Sequence, residues 1–185
     1  MTTTILAFDT STSFGAVCAL TPDRRAHTPR AGDLLRAVDE LVDDPAQIER
    51  IVVGRGPGSF TSIRIGLAIA RSLALTLDVP VAGASTLDGY AAGTPVIDAR
   101  RGEVFAPGPR VLKPEELAVD GQTLLGDGAI RYRTIFEAAG ATIPADDDPV
   151  HRPDPLLLVE RAGAFGPAAA VAPLYVRDPD ARPSA

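Results

Sequence analysis

The chain has 185 residues, of which 45% are hydrophobic and 23% charged, proportions typical of a soluble globular protein with one domain or two small lobes. Its formal net charge is −6 and Lys113 is its single lysine. This composition disfavours a protein that binds nucleic acid by itself, because such binding depends on clustered basic residues. One cysteine, Cys18, excludes an internal disulfide framework, and its apolar neighbours predict a buried thiol.

The start of the chain and its longest apolar stretch predict neither a secretory leader nor a membrane span. The first residues lead directly into an apolar strand, without the basic segment and apolar run of a signal peptide. The longest apolar helical stretch, residues 63–77, is interrupted by Arg64 and Arg71. We therefore expect a cytoplasmic protein with no membrane contact.

The first half of the chain alternates short apolar runs with segments of helical periodicity. Leu34, Val38 and Leu41 recur at the spacing of one helix face, and Ser59 stands where it can cap a long helix. The polar stretch that reaches to Gly32 contains few core-forming side chains. The pattern predicts strands at 4–8, 14–20, 48–54 and 79–83, and helices at 34–42, 59–77 and 85–92.

The second half begins with a weak repeat of the first. Ile97 and Asp98 followed by Gly102 echo Phe8 and Asp9 followed by Gly15. Strands are predicted at 95–98, 102–106 and 122–125, and helices at 126–140 and 154–162. Alternating strands and helices indicate an α/β fold, and the echo predicts two related lobes at residues 1–93 and 94–185.

The residue patterns of metal and nucleophilic catalysis are weak in this sequence. His27 and His151 are the two histidines, they have no helical spacing, and their polar, proline-flanked contexts predict surface residues. The sequence contains no GxSxG nucleophile elbow, and no base stands beside Cys18 in sequence. We therefore predict no catalytic residue and no metal ligand.

Two turns after predicted strands could hold a phosphate. Asp9 and Thr10 suit a nucleotide-associated metal held through water, or an Asx turn that closes a hairpin. Gly56 and Ser59 lie between a strand and a helix, where free backbone N–H groups favour anions, although a purely structural turn has the same composition. These four residues are the candidate nucleotide site.

The predicted helix at 59–77 is apolar around most of its circumference. Gly66, Ala70 and Ala74 form a stripe of small residues, which permits close approach of another helix. A helix on one face of a sheet normally keeps a polar outer side, so this one is expected to be covered twice. The second cover is either another subunit, which we favour, or the helix at 34–42.

Four sequence blocks resemble the TsaB (YeaZ) family and occur in the order found there: ILAFDTST (5–12), GRGPGSFTSIRIG (54–66), IDARRGEVF (97–105) and PLYVR (173–177). The resemblance implies the two-lobed actin/Hsp70/sugar-kinase (ASKHA) fold. It implies a non-catalytic scaffold that pairs with and activates TsaD, together with the ATPase TsaE, to form threonylcarbamoyladenosine beside the tRNA anticodon.

The resemblance further implies that the chain reaches tRNA indirectly, forms a homodimer when alone, and carries no cofactor except a nucleotide at the partner interface. Such proteins pair through helices of the first lobe. The predicted interface therefore consists of residues on the helices at 34–42 and 59–77: Leu34, Val38, Leu41, Ile63, Arg64, Gly66, Leu67, Ala70, Arg71 and Ala74.

The sequence departs from the family in its second half. Pro107, Gly108 and Pro109 truncate a strand pair that is usually longer, which predicts an abbreviated second lobe. Asp9 and the turn at 126–128 look like remnants of the phosphate and adenosine elements of the fold. The alternative function is a small ATPase or kinase of the same fold that binds nucleotide at Asp9 and at the turn from Gly56 to Ser59.

Overall fold

The computed structural model describes residues 3–177 and builds a five-stranded first sheet. Its strands are β1 (Ile5–Asp9), β2 (Ala16–Leu20), β3 (Arg24–Thr28), β4 (Arg50–Gly54) and β5 (Val81–Ala84). Their order is β3-β2-β1-β4-β5, with β1 antiparallel to β2 and parallel to β4. β3 is absent from the prediction because its arginines break the apolar alternation. Such charges are tolerated since β3 is an edge strand.

The second half builds a three-stranded and a two-stranded sheet, which we together call the second sheet because a strand of the two-stranded sheet leads directly into a strand of the other. Its strands are β6 (Thr94–Pro95), β7 (Ile97–Arg100), β8 (Glu103–Ala106), β9 (Arg110–Leu112) and β10 (Leu124–Leu125). β7, β8 and β9 are antiparallel, whereas β10 pairs in parallel with β6, which leads directly into β7. With β6 and β7 taken as one strand, the order β9-β8-β7/β6-β10 repeats that of the first four strands, β3-β2-β1-β4, and no strand among the described residues corresponds to β5.

Five helices cover these sheets: α1 (Leu34–Leu41), α2 (Phe60–Leu77), α3 (Asp127–Arg131), α4 (Arg133–Ala138) and α5 (Pro155–Arg161). α1 and α2 bury one face of the first sheet, and their shared core includes Phe8 and Cys18. The predicted helix at 126–140 is divided at Tyr132 into α3 and α4. The predicted helix at 85–92 is a single 3₁₀ turn, Thr86–Gly89.

The end of the described chain returns to the first sheet. α5 packs on β1, β2, β4 and β5, on the face opposite α2. Gly166 forms an antiparallel bridge with Val81 at the outer edge of β5. The predicted boundary near residue 93 separates the two sheets, but the first lobe also contains residues from the last quarter of the chain.

Among residues 3–177, α2 is the one helix that is long and apolar enough to cross a membrane by length and composition alone. The sequence prediction of no span rested on the two arginines within it. A core helix of a soluble protein meets the same criterion. In this structure α2 packs one side against β4.

His151 corrects the prediction that both histidines lie at the surface. It is fully buried, and its Nδ1 accepts a hydrogen bond from the Gly126 backbone N–H at 3.1 Å. Because Nδ1 is the acceptor, Nε2 carries the proton and faces the Pro144 carbonyl oxygen at 3.3 Å. His151 therefore fixes the turn before α3, whereas His27 is exposed as predicted.

Candidate binding cleft between the two sheets

A cleft of about 720 Å³ lies between the two sheets. The β1–β2 turn and the start of α2 line one side, and the β7–β8 turn lines the other. The segment from Leu174 to Arg177 completes the wall. The cleft therefore lies where the two related halves face each other.

Asp9 ends β1 but does not reach this cleft. Its side chain is 1% exposed; Oδ1 accepts the Ser11 N–H at 2.6 Å and Oδ2 accepts the Thr86 hydroxyl at 2.6 Å. Burial raises the pKa of the Asp9 carboxyl, against the opposing effect of these two hydrogen bonds. A Cβ on Gly54 would stand 1.7 Å from Oδ2, so the neighbouring backbone closes over the carboxylate. The geometry is that of the Asx turn.

Three of the four candidate nucleotide residues serve to connect elements within the protein. The Thr10 hydroxyl donates to the Ser62 carbonyl oxygen at 2.7 Å, and Gly56 N–H donates to Thr86 Oγ1 at 3.2 Å. Ser59 is the one of the four that lines the cleft. It caps α2, since its Oγ accepts Ser62 N–H at 3.4 Å, as its position in the sequence predicted.

Asp127 connects the two halves across the floor of the cleft. One carboxylate oxygen, Oδ2, accepts the Ser13 N–H of the first lobe at 2.8 Å. The other, Oδ1, accepts the Asp98 N–H of the second lobe at 3.0 Å. The turn at 126–128 was noted in the sequence, but this bridging role requires three distant segments to meet and had no sequence signal.

The β7–β8 turn directs arginines toward the cleft. Arg100 and Arg101 have φ values of 62° and 56°, a left-handed conformation that costs non-glycine residues free energy. The Asp98 carboxylate accepts the Arg100 N–H at 2.9 Å and forms ion pairs with the guanidinium groups of Arg100 at 3.2 Å and Arg131 at 3.7 Å. The turn is thereby held in a strained conformation by a buried acid.

An aromatic pair stands at the rim of the cleft. The rings of Phe60 and Tyr175 stack with centroids 5.0 Å apart, and the Arg64 guanidinium lies 5.3 Å from the Phe60 ring. The segment that carries Tyr175 is attached to both lobes, because Leu174 N–H donates to the Arg55 carbonyl oxygen at 2.7 Å and Arg177 pairs with Glu103. Neither the pair nor its anchoring was predicted from the sequence.

The structure places most of the predicted interface residues inside this chain. Eight of the ten predicted residues are buried in this chain's own core, where α1 and α2 meet the sheet: Leu34, Val38, Leu41, Ile63, Gly66, Leu67, Ala70 and Ala74. A Cβ on Gly66 would lie 2.5 Å from Thr10 Oγ1, so the small-residue stripe admits the first sheet rather than a partner helix. Arg64 and Arg71 are exposed.

The outer face of α2 carries its own apolar residues. Leu75 is 86% exposed, and Ala68 lies between it and Arg64 on the same exposed side of the helix. Leu35 on α1 is 54% exposed. Within residues 3–177, no group of three or more His, Cys, Asp or Glu side chains is arranged to hold a metal ion.

Comparison with known sequences identifies one family. The profile of TsaD, the tRNA N6-adenosine threonylcarbamoyltransferase, matches residues 23–125, more than half of the chain. The tRNA threonylcarbamoyladenosine biosynthesis protein TsaB of Bacillus subtilis is 36% identical over 124 residues, 55% of this chain and 53% of that protein. TsaB of Escherichia coli is 38% identical over 125 residues, with 55% and 52% coverage. The alignments thus span about half the length of these relatives.

Other relatives match along nearly the whole chain. An uncharacterized protein of Mycobacterium tuberculosis is 34% identical over 210 aligned positions, with 98% and 95% coverage. The structure of YeaZ from Pseudomonas aeruginosa superposes with a TM-score of 0.73 at 25% identity, covering 94% of this chain and 100% of that one. A second structure, described as an uncharacterized protein with similarity to peptidase YEAZ from Pseudomonas aeruginosa, gives 0.76 at 27% identity, with 95% and 100% coverage. The predicted ASKHA-like α/β fold is confirmed.

Proposed function

Because the chain belongs to the TsaD family, and within it to the TsaB (YeaZ) branch, we propose that it is a non-catalytic subunit that pairs with TsaD. In this role it supports the formation of threonylcarbamoyladenosine beside the tRNA anticodon, in the cytoplasm. TsaE joins the complex, and two copies of this chain pair when TsaD is absent.

The buried position of Asp9 is the observation that favours a non-catalytic subunit over the alternative ATPase or kinase. The alternative function requires Asp9 to bind the nucleotide, and therefore requires its side chain to be accessible. Here the Asp9 carboxylate is buried and already accepts hydrogen bonds from Ser11 and Thr86. Thr10 is likewise buried and bonded to Ser62. We therefore propose that the chain alone holds no nucleotide, and that any nucleotide binds at the partner interface.

The outer face of α2 is the surface that we assign to pairing. An exposed leucine and a small residue on the same face of a helix, here Leu75 and Ala68 two turns apart, let a partner helix approach closely and remove apolar area from water. Arg64 and Arg71 border this strip and favour acidic residues on the partner. Leu35 on α1 is a second exposed apolar side chain on the helices of the first lobe.

Co-expression with TsaD from the same organism tests this proposal. We expect a heterodimer on size exclusion with light scattering, and its loss in Leu75→Arg, because that substitution places a charge within the apolar pairing face. Val150→Arg is the matched control, since Val150 is an exposed apolar residue outside the helices of the pairing face. Separate elution of the wild-type proteins at micromolar concentration, with TsaE and nucleotide present, would refute the pairing.

Calorimetry with Mg-ATP addresses the alternative function. The proposal predicts no heat of binding for the isolated chain. Tight binding that Asp9→Asn or Ser59→Ala abolishes would favour the ATPase or kinase instead.

A further inference from the structure

The exposed aromatic pair at the cleft rim is unusual for side chains of this size. Phe60 is 47% exposed and Tyr175 is 39% exposed, although stacked rings normally contribute most when they are buried. Arg64 stacks on the Phe60 ring and is itself exposed. Rings that remain open to solvent beside a guanidinium plane form a platform on which a further flat group can stack.

The cleft beside this platform has a charge that differs from that of the whole chain. Although the net charge is −6, the lining contains four arginines, Arg30, Arg100, Arg101 and Arg177, against the two aspartates Asp98 and Asp127. Both carboxylates already have partners within the protein. Asp98 forms ion pairs with arginines, and Asp127 accepts hydrogen bonds from two backbone N–H groups. Arg30 pairs with Asp33 at 2.9 Å and Arg100 with Asp98 at 3.2 Å, but their side chains are 80% and 65% exposed, so the remaining N–H groups of each guanidinium are accessible to a ligand.

From this arrangement we infer that the cleft rim binds a single-stranded segment of RNA, with a base stacked on an outer face of the Phe60–Tyr175 pair and the phosphates held by Arg30, Arg100 and Arg101. This inference rests on the proposed function, and it makes the chain a direct contact for the RNA rather than an indirect one. Stacking is tolerant of base identity, and arginines bind phosphate oxygens in a bidentate manner.

The same geometry favours a strand over a free nucleoside triphosphate. A Mg²⁺–triphosphate requires oxygen ligands, yet Asp9 is buried away from the cleft and the other two aspartates are engaged. The platform lies at an open rim, so the nucleotides on either side of a stacked base have room to extend along the protein surface. Ordered attachment of the 174–177 segment to both lobes keeps Tyr175 in place before the RNA arrives.

The test uses the full chain and a fluorescently labelled RNA hairpin with a single-stranded loop, measured by anisotropy at low salt. We expect Phe60→Leu to weaken binding by about tenfold, because one stacked base is lost, and Phe60→Trp to retain it. Replacing both Arg100 and Arg101 by alanine should reduce the slope of log affinity against log salt by about 1.4, since each phosphate contact contributes about 0.7 on single strands. Thermal unfolding confirms that each variant is folded.

The matched control for charge is Arg24→Ala with Arg110→Ala, which removes two exposed arginines outside the cleft and should leave RNA binding unchanged. Wild-type affinity in the Phe60→Leu variant, or equal losses in both arginine pairs, would overturn the inference. So would Mg-ATP that binds at the same residues and displaces the RNA.

Leu75→Arg separates the inference from the proposed function. It should abolish pairing with TsaD while leaving RNA binding by the isolated chain intact. If TsaD does not pair with the wild type but the RNA results hold, the proposed function fails and the RNA site stands. If pairing holds and the Phe60 and arginine variants bind RNA normally, the RNA site fails alone.

Discussion

The two sheets share the order of their first four strands and differ in the helix that comes after the equivalent strands β4 and β10. After β4, Ser59 caps the 18-residue α2, whereas after β10 the turn at Gly126 leads into the five-residue α3. Only the first lobe gains a long helix with an outer face that no part of the described chain covers. The second lobe instead places Asp127 across the cleft, where it holds backbone groups of both lobes. The shared topology therefore positions the cleft, and helix length determines which lobe offers a surface for a partner.

The largest expected effect comes from introducing an arginine on the buried face of α2, in comparison with the same change on its exposed face. Ala70→Arg places an unpaired charge in the core of the first lobe and should cost about 4 kcal/mol of the free energy of unfolding, enough to unfold a marginal protein. Leu75→Arg, on the outer face, should change that free energy by less than about 0.5 kcal/mol. Urea unfolding measures both. Similar losses for the two variants would mean that the faces are assigned wrongly.

Asp127 is the next most sensitive residue, because it joins the two lobes. Asp127→Ala leaves the buried N–H of Asp98 and the part-buried N–H of Ser13 without acceptors and should cost about 3 kcal/mol. Asp127→Asn keeps one acceptor oxygen and should lose about half as much. Hydrogen exchange of these two amides provides the local readout; unchanged protection in the alanine variant would contradict the bridging role.

His151 tests the second lobe separately. His151→Phe keeps a ring of similar size but removes the acceptor for Gly126 N–H, and should cost about 2 kcal/mol. His151→Asn restores an acceptor at a similar position and should recover part of that loss. Unfolding free energies from denaturant curves decide between them, and equal stabilities would show that the hydrogen bond contributes nothing.

The smallest expected effect is a pH dependence in the first lobe. Burial raises the folded-state pKa of Asp9 above its ordinary value of 3.8, so the folded protein binds the proton more tightly than the unfolded chain does. The contribution of Asp9 to stability is then fully present below pH 3.8 and is lost as the pH rises through the raised folded-state pKa. Asp9→Asn should remove this component of the pH profile, while Asp43→Asn, at an exposed acid, should leave it.

Most of the fold could be predicted from the sequence because the core strands are apolar and the helix N-caps are residues that commonly occupy that position. β1, β4, α2 and α5 appear within a few residues of their predicted positions, and the echo between Asp9 and Asp98 corresponds to two related sheets. β3 was missed because an edge strand needs no apolar alternation. His151 was misassigned because its partners, Gly126 and Pro144, are distant in sequence or are backbone groups without a pattern.

The interface prediction for α2 rests on a pattern that close packing of any kind produces. Glycine and alanine are the residues that close packing against a sheet requires, and they are equally suited to packing against a partner helix. A stripe formed by Gly66, Ala70 and Ala74 therefore indicates a closely packed helix face, but it does not indicate whether a sheet or a partner helix packs against it. The cleft rim was missed for a different reason, since Phe60 and Tyr175 are far apart in sequence and become neighbours only in the folded chain.

The return of α5 and Gly166 to the first sheet also affects how the protein is synthesised. The face of β1 and β4 that α5 covers, and the edge of β5 that Gly166 closes, remain open until the last quarter of the chain has left the ribosome. The first lobe therefore cannot complete its core as an early, independent unit, and long-range contacts of this kind slow folding. A nascent chain halted after the second sheet would expose Ala7, Val52 and Ala82 to other proteins, so chaperone binding should persist until α5 emerges.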